Sequence, residues 1–179
     1  MLAAALAATV AVTFAVSAAA KLSDLAAFRR SMPATLGIPP LRARALAPAV
    51  VAAELAVALA AVAGLWSPSV ALAGFVASAV LLGVFTVAIR SMIARGVTEP
   101  CHCFGARGAP PGAVDLIRNG VLIAVSLGGL IAVALGSQAV GGGFVRLAAG
   151  MVVGTATALL VVHLDELVWL FGPTLPGVE

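Results

Sequence analysis

The residues best suited to chemistry are two cysteines, two positions apart, with a histidine between them. Cys101 and Cys103 are the only cysteines of the chain, and His102 separates them. A disulfide between them would close a very small ring, and strained disulfides are the more oxidising and labile ones. His102 could act as a local base. The pattern is typical of thiol–disulfide exchange, in which one cysteine forms a mixed disulfide and the other resolves it.

Two other interpretations of the motif stay open. Two thiolates and an imidazole suit Cu(I) or zinc, and His163 would then be a further ligand. The spacing is not a standard zinc pattern, so we predict no metal site and keep a copper-binding membrane protein as an alternative. In the other interpretation the cysteines are inert parts of a turn, and the protein is a non-catalytic membrane assembly factor.

The composition indicates a membrane protein built of helices. Of the 179 residues, 63% are hydrophobic and 9% are charged, whereas a soluble domain carries about 25% charged residues. The apolar residues come in blocks close to the roughly 20 needed to cross a bilayer, and the alternation typical of a β-barrel is missing. We therefore predict an all-α, polytopic transmembrane helix bundle in the cell membrane.

The apolar blocks predict a four-helix core and a fifth, C-terminal span. The first block lacks the positively charged start of a signal peptide, so we expect a retained helix. The first four spans would form a core domain over residues 1–135, and residues 136–179 would add the fifth span and a short tail. The five predicted spans are residues 2–20, 48–66, 70–89, 117–135 and 144–170.

A polar segment, residues 21–47, separates the first two spans. Leu25, Phe28 and Met32 within it predict a short helix along the membrane interface, which the following prolines would stop. The second span then begins at Pro48, because proline suits the first turn of a helix.

An odd number of spans brings most charged residues to one face of the membrane. That face receives the polar segment, the C-terminal tail and the cysteine loop, by which we mean the segment between the third and fourth spans. Arg146 alone lies near the other face. The basic residues stand at the ends of apolar blocks, where they suit lipid head groups. The net charge of +3 therefore indicates a lipid bilayer as partner and no nucleic acid.

The compartment of the cysteine loop receives two opposite indications. Both long polar segments are rich in arginine, and the positive-inside rule places such segments in the cytoplasm. A stable reactive disulfide instead favours the extracytoplasmic side. The residues alone leave both orientations open.

Glu54 is the exceptional residue of the second predicted span. It lies about two turns beyond Pro48, hence roughly 9 Å from that predicted helix start. A carboxylate at such a depth is costly, so we expect it to face the protein interior and to be paired or protonated. A structural hydrogen bond between helices and a functional role are both open for it.

The sequence Pro-Cys-His-Cys-Phe-Gly at residues 100–105, with Arg118-Asn119 opening the next span, resembles the methylamine utilisation protein MauE family. This family belongs with the DoxX-like redox-associated membrane proteins. Three further features agree: Lys21 at the end of the first span, the Phe28 segment after it, and Glu54 early in the second span.

The resemblance implies a role in methylamine metabolism or a similar process. The family is implicated in disulfide formation in an exported partner, the small subunit of methylamine dehydrogenase, and it is similar in plan to the four-helix vitamin K epoxide reductase bundle. A related role here would make the chain a thiol–disulfide oxidoreductase that acts on an exported or membrane-anchored thiol protein. A quinone is the electron acceptor that such bundles can use.

The resemblance also implies roles for particular residues. Cys101 and Cys103 would be the exchanging pair, on the extracytoplasmic side, and His102 would lie between them. Arg118 and Asn119, together with Glu54, would shape the site. The likeness covers residues 1–135, so the fifth span and His163 receive no support from it.

Overall fold

The structure is a computed structural model that describes residues 1–97, 112–137, 143–164 and 166. Within these ranges the chain folds into helices joined by short turns, and no strand is present there. The helices are α1 (Leu2–Ser23), α2 (Leu25–Leu36), α3 (Pro40–Ala63), α4 (Pro68–Ala94), α5 (Ala113–Ala134) and α6 (Phe144–Val162).

All of these helices except α2 are long and apolar enough to cross a membrane. This confirms the predicted all-α, multi-pass membrane protein with a fifth C-terminal span. Helix α6 ends at Val162, and residues 165 and 167–170 of the predicted span lie outside the described residues.

Helix α1 is the centre of the bundle. More than half of its apolar window is buried, against about a third or less in the other four spanning helices. Its many alanines let neighbouring helices come close, which is how helices associate where lipid offers no hydrophobic driving force. Val10 and Phe14 of α1 pack with Val57, Phe75 and Leu122 of the surrounding helices.

Helix α6 lies against α1 through two glycines. A Cβ atom on Gly150 would stand 2.8 Å from the Ala4 Cβ, and one on Gly154 would stand 2.7 Å from the Ala8 Cβ. The Thr9 hydroxyl oxygen lies 3.1 Å from the Gly154 carbonyl oxygen. Because residue numbers rise together along both helices, α1 and α6 run parallel.

Helices α4 and α5 run antiparallel, so the cysteine loop joins them at one end of the bundle. The hydroxyl groups of Ser78 and Ser126 are hydrogen-bonded at 2.8 Å. Nearer to that end, Thr86 is hydrogen-bonded to Asn119. The contact of Lys21 with Phe85 shows that α1 finishes at this end as well. We call it the cysteine-loop end.

The start of α3 corrects the sequence prediction. The helix begins at Pro40, and Pro48 lies inside it and not in its first turn. Residues 41–47 are all Ala, Leu or Arg, which are good helix formers. Ala43 and Ala47 are buried against the neighbouring helix α2, and this packing continues α3 beyond the apolar block.

Helix α2 forms the expected short helix, but prolines do not stop it. Pro33 lies within the helix, which ends at Gly37 with a φ of 65°. The Gly37 N–H donates to the Pro33 carbonyl oxygen at 2.8 Å, and glycine adopts this left-handed conformation at no steric cost. Phe28 and Met32 are buried against α3, so α2 is fixed to the bundle.

Candidate functional site

The cysteine motif itself lies outside the described residues. This holds for Cys101, His102 and Cys103, whose predicted roles therefore stay predictions. What the structure describes is the end of the bundle to which this loop is attached. Two clusters of buried polar side chains lie there.

The first cluster is an ion pair inside the bundle. The Lys21 ammonium lies 2.8 Å from Glu54 Oε1, and the two side chains are 1% and 0% exposed. The Ser17 hydroxyl donates to the same Oε1 at 2.8 Å and lies 2.6 Å from the Lys21 Nζ. Ser17 and Lys21 stand four residues apart on α1, so both face α3.

Glu54 thus faces the interior with a partner, as expected for a carboxylate within a span. The predicted distance along its helix was wrong, because α3 begins at Pro40. Glu54 lies about 21 Å from that residue along the helix axis. Its second oxygen, Oε2, is buried and has no hydrogen-bond partner among the described residues.

Two aromatic rings cover the lysine. The Lys21 Nζ lies 5.5 Å from the centre of the Phe28 ring and 5.7 Å from that of Phe85. Both distances allow attraction between the cation and the face of the ring. Phe28 belongs to α2 and Phe85 to α4, so four helices surround the pair and shield it from lipid.

A buried ion pair of this kind adds little net free energy to the stability of the whole protein. Its desolvation offsets most of the attraction between the charges, but removing one partner leaves a buried charge and costs about 3–5 kcal/mol. Carboxyl and ammonium groups can also donate protons to reacting groups nearby or accept protons from them. The arrangement therefore holds a protonatable pair in a fixed place near the cysteine-loop end.

The second cluster joins α4 to the beginning of α5. The Asn119 amide nitrogen lies 3.4 Å from the Thr86 hydroxyl oxygen, which donates to the Leu82 carbonyl oxygen at 2.8 Å. Asn119 is buried, and its Oδ1 has no partner among the described residues. Because Phe85 precedes Thr86, the two clusters contact adjacent positions of α4.

Arg118 is held where the cysteine loop leads into α5. Its side chain is buried and pairs with Asp115, three residues earlier. Asp115 also accepts a hydrogen bond of 3.0 Å from the Gly112 N–H. The first turns of α5 are thereby fixed by charged groups, and the returning end of the loop is fixed with them.

His163 lies just after α6 and is not brought into either cluster. Its Nδ1 is 3.3 Å from Glu166 Oε1, and both side chains are substantially exposed. Among the described residues no group of three or more His, Cys, Asp or Glu side chains could hold a metal ion. The cysteines lie outside that search, so copper binding stays an untested alternative.

Sequence reasoning missed the partners of Glu54. The sequence predicts that Glu54 is paired or protonated, but it identifies neither Lys21 nor Ser17 as the partner. One signal could have identified the lysine: it is the only lysine in a chain whose other basic residues are all arginine. Its side chain must reach α3, 33 residues away, and local patterns do not report such contacts.

Comparison with known families shows which family the chain resembles. The model of the family described as methylamine utilisation protein MauE matches residues 1–135. No curated protein and no solved structure matches the chain. The matched region contains both polar clusters and the cysteine motif, and it ends before α6.

Proposed function

The chain belongs to the methylamine utilisation protein MauE family, and on this premise we propose that it performs thiol–disulfide exchange for an exported partner. The exchange would take place at Cys101 and Cys103, in the loop at one end of a multi-pass membrane bundle. The observation that carries the proposal is the buried Lys21–Glu54 pair near that end. It supplies a protonatable pair in the half of the bundle that leads to the cysteine loop, and thiol exchange needs groups that give and take protons.

The proposed reaction oxidises a pair of thiols on the partner. A partner thiolate attacks one sulfur of the Cys101–Cys103 disulfide, the sulfur–sulfur bond breaks, and a mixed disulfide forms. The other cysteine leaves as a thiolate and takes up a proton. A second partner thiolate then attacks the partner's sulfur in the mixed disulfide, which leaves a disulfide in the partner and two thiols here.

The chain must then lose two electrons and two protons to become a disulfide again. A membrane quinone, which becomes a quinol, is the class of acceptor that we name. No described residue is assigned to binding it.

Glu54 is the residue that we propose to relay protons. Its Oε2 is buried and without a partner among the described residues, so it has capacity to accept a hydrogen bond or a proton. The Lys21 ammonium pairs with the other oxygen of Glu54, Oε1. Arg118 and Asn119 are positioning residues in this proposal, since they fix the turns of α5 that follow the cysteine loop.

Trapping of the mixed disulfide tests the proposal. In Cys101→Ser or Cys103→Ser the remaining thiolate can attack the disulfide of the oxidised partner, which reverses the proposed step and releases one partner thiolate. No second cysteine is left here to resolve the mixed disulfide, so one of the two variants should accumulate a covalent adduct with the partner. The measurement is electrophoresis of membranes without reductant, followed by reduction to release the partner. If neither variant forms an adduct that a reductant cleaves, the proposal of exchange at these cysteines is wrong.

A non-catalytic assembly factor is the second candidate. The observation that favours it is that the buried polar groups link helices: Ser17 and Lys21 to Glu54, Ser78 to Ser126, and Thr86 to Asn119. A rigid scaffold needs such links, with or without redox chemistry. The double variant Cys101→Ser/Cys103→Ser separates the two, because a scaffold keeps its function without thiols.

A further inference from the structure

A cleft with three arginines lies between α2 and the beginning of α3. Its volume is about 640 Å³. It is lined by Ala26, Arg29, Arg30, Pro33, Pro40 and Arg44. Neither thiol–disulfide exchange nor a role as an assembly factor uses this cleft.

Helical spacing brings the three arginines together. Ala26, Arg29, Arg30 and Pro33 stand at intervals of three, one and three residues, and so share one face of α2. The opposite face, with Phe28, is buried against the bundle. Arg44 follows Pro40 by four residues on α3 and completes the cleft from the other side.

The charge of the cleft is not neutralised by the described part of the chain. Arg29, Arg30 and Arg44 are exposed, and none of them forms an ion pair with another described residue. Asp24, the one acidic residue of the segment from 21 to 47, accepts a hydrogen bond of 2.8 Å from the Ala27 N–H as the cap of α2.

The beginning of α3 adds to the positive potential. Its N-cap residue, Pro39, provides no side-chain cap, and no acidic residue lies in the first turn. A helix N-terminus carries a partial positive charge, which a nearby anion stabilises.

An exposed leucine next to a residue that lines the cleft distinguishes between anionic ligands. Leu41 is 78% exposed, directly follows Pro40 and stands three residues before Arg44 on α3. A soluble anion or an acidic segment gains nothing from such a side chain. A phospholipid gains from the arginines and from the leucine, because its phosphate suits guanidinium groups and its acyl chains suit leucine.

We propose that this cleft binds the head group of an anionic phospholipid, with the phosphodiester held by Arg29, Arg30 and Arg44. The lipid would then attach α2 to the membrane surface, as an interfacial amphipathic helix requires. Since Phe28 of α2 covers Lys21, the lipid also stabilises the cover of the buried ion pair. The proposal stands apart from the thiol chemistry and does not depend on it.

Native mass spectrometry of the full chain in a neutral detergent tests the proposal. Phosphatidylglycerol should be retained at concentrations roughly tenfold or more below those needed for phosphatidylcholine, since each arginine near a charged head group favours binding. Equal retention of the two lipids by the unaltered protein would overturn the proposal. This comparison requires no variant.

Charge-matched variants place the site. The triple variant Arg29→Gln/Arg30→Gln/Arg44→Gln should lose the preference for phosphatidylglycerol. The control Arg42→Gln/Arg90→Gln/Arg146→Gln removes three exposed arginines that do not line the cleft, and it should keep the preference. Equal losses in the two variants would contradict a built site.

Two further probes separate the possible sources of the anion. Inorganic phosphate at millimolar concentration should not displace bound phosphatidylglycerol, and polyglutamate should not displace it either. Displacement by phosphate would indicate a soluble phosphate site, and displacement by polyglutamate would indicate an acidic protein partner. Either result would overturn the lipid assignment.

Discussion

At the scale of single residues, the protein places a lysine and a glutamate together where lipid surrounds the helices. Lys21, Glu54 and Ser17 form one hydrogen-bonded group with almost no exposure. An isolated charge there is costly, whereas a pair of charges is tolerated. The physical consequence is that each member of the pair depends on the other.

Single substitutions in the pair should therefore cost more stability than the double substitution. Lys21→Met or Glu54→Leu alone leaves one buried charge, and each should lower the free energy of unfolding by about 3–5 kcal/mol. The double variant should recover most of this loss. Thermal unfolding in detergent measures all three, with the exposed Arg146→Gln as control. A double variant whose loss equals the sum of the single losses would show that the two side chains do not depend on each other.

The same double variant separates a proton relay from a structural link. Lys21→Met/Glu54→Leu should fold but oxidise a partner dithiol more slowly by roughly 100-fold, the usual scale for losing an acid–base group. The readout is the rate of partner oxidation at several pH values. Ser78→Ala/Ser126→Ala, which removes a buried polar link that is not part of the proposed relay, should leave this rate unchanged. Full activity of the Lys21/Glu54 double variant would show that the pair has only a structural role.

At the scale of elements, the bundle depends on how closely its helices approach. Helix α1 is surrounded by other helices, and α6 lies against it through Gly150 and Gly154. The α6 side of this contact lies outside the part that the family model covers. Helix α6 therefore adds to the family core by packing on one side of α1.

Two glycine-to-alanine substitutions should differ in their effect on the stability of the protein. A Cβ on Gly154 would collide with Ala5 and Ala8, so Gly154→Ala should destabilise the protein by about 1–3 kcal/mol. A Cβ on Gly120 meets open space, so Gly120→Ala should be neutral or stabilising by up to about 1 kcal/mol. Thermal unfolding in detergent measures both. Equal effects would mean that α6 does not pack closely on α1.

Some of this architecture could be predicted from the sequence and some could not. Blocks of apolar residues predicted the spanning helices, because the thickness of a bilayer fixes their length. The cost of a buried carboxylate predicted that Glu54 faces inward. The predicted start of α3 at Pro48 was wrong because this proline was interpreted as a helix boundary. The residues before it include arginines, which are good helix formers. The partner of Glu54 depends on tertiary packing, which local patterns do not contain.

At the scale of the whole molecule, polar chemistry is concentrated at one end of an apolar bundle. The buried ion pair, Arg118, Asn119 and the arginine cleft all lie toward the cysteine-loop end. The opposite end has short connections and a cleft lined mostly by uncharged side chains such as those of Leu65 and Phe75. A reaction proposed for this protein therefore belongs at the end where the cysteines are attached.

The orientation of that end in the membrane is decisive for the proposed function. Oxidation of an exported partner needs the cysteine loop outside the cytoplasm, whereas the arginine-rich segments favour the inside. The arginine cleft offers one physical reason for basic residues on the outer side. Anionic lipid bound there would neutralise them.

Thiol trapping in intact cells tests the central claim most directly. A membrane-impermeant alkylating reagent is applied with and without prior mild reduction, and the labelling of Cys101 and Cys103 is measured. We predict labelling only after reduction, which would indicate a reducible disulfide on the extracytoplasmic side. Labelling only after the membrane is opened, with both thiols already free, would place the loop in the cytoplasm and contradict the redox account.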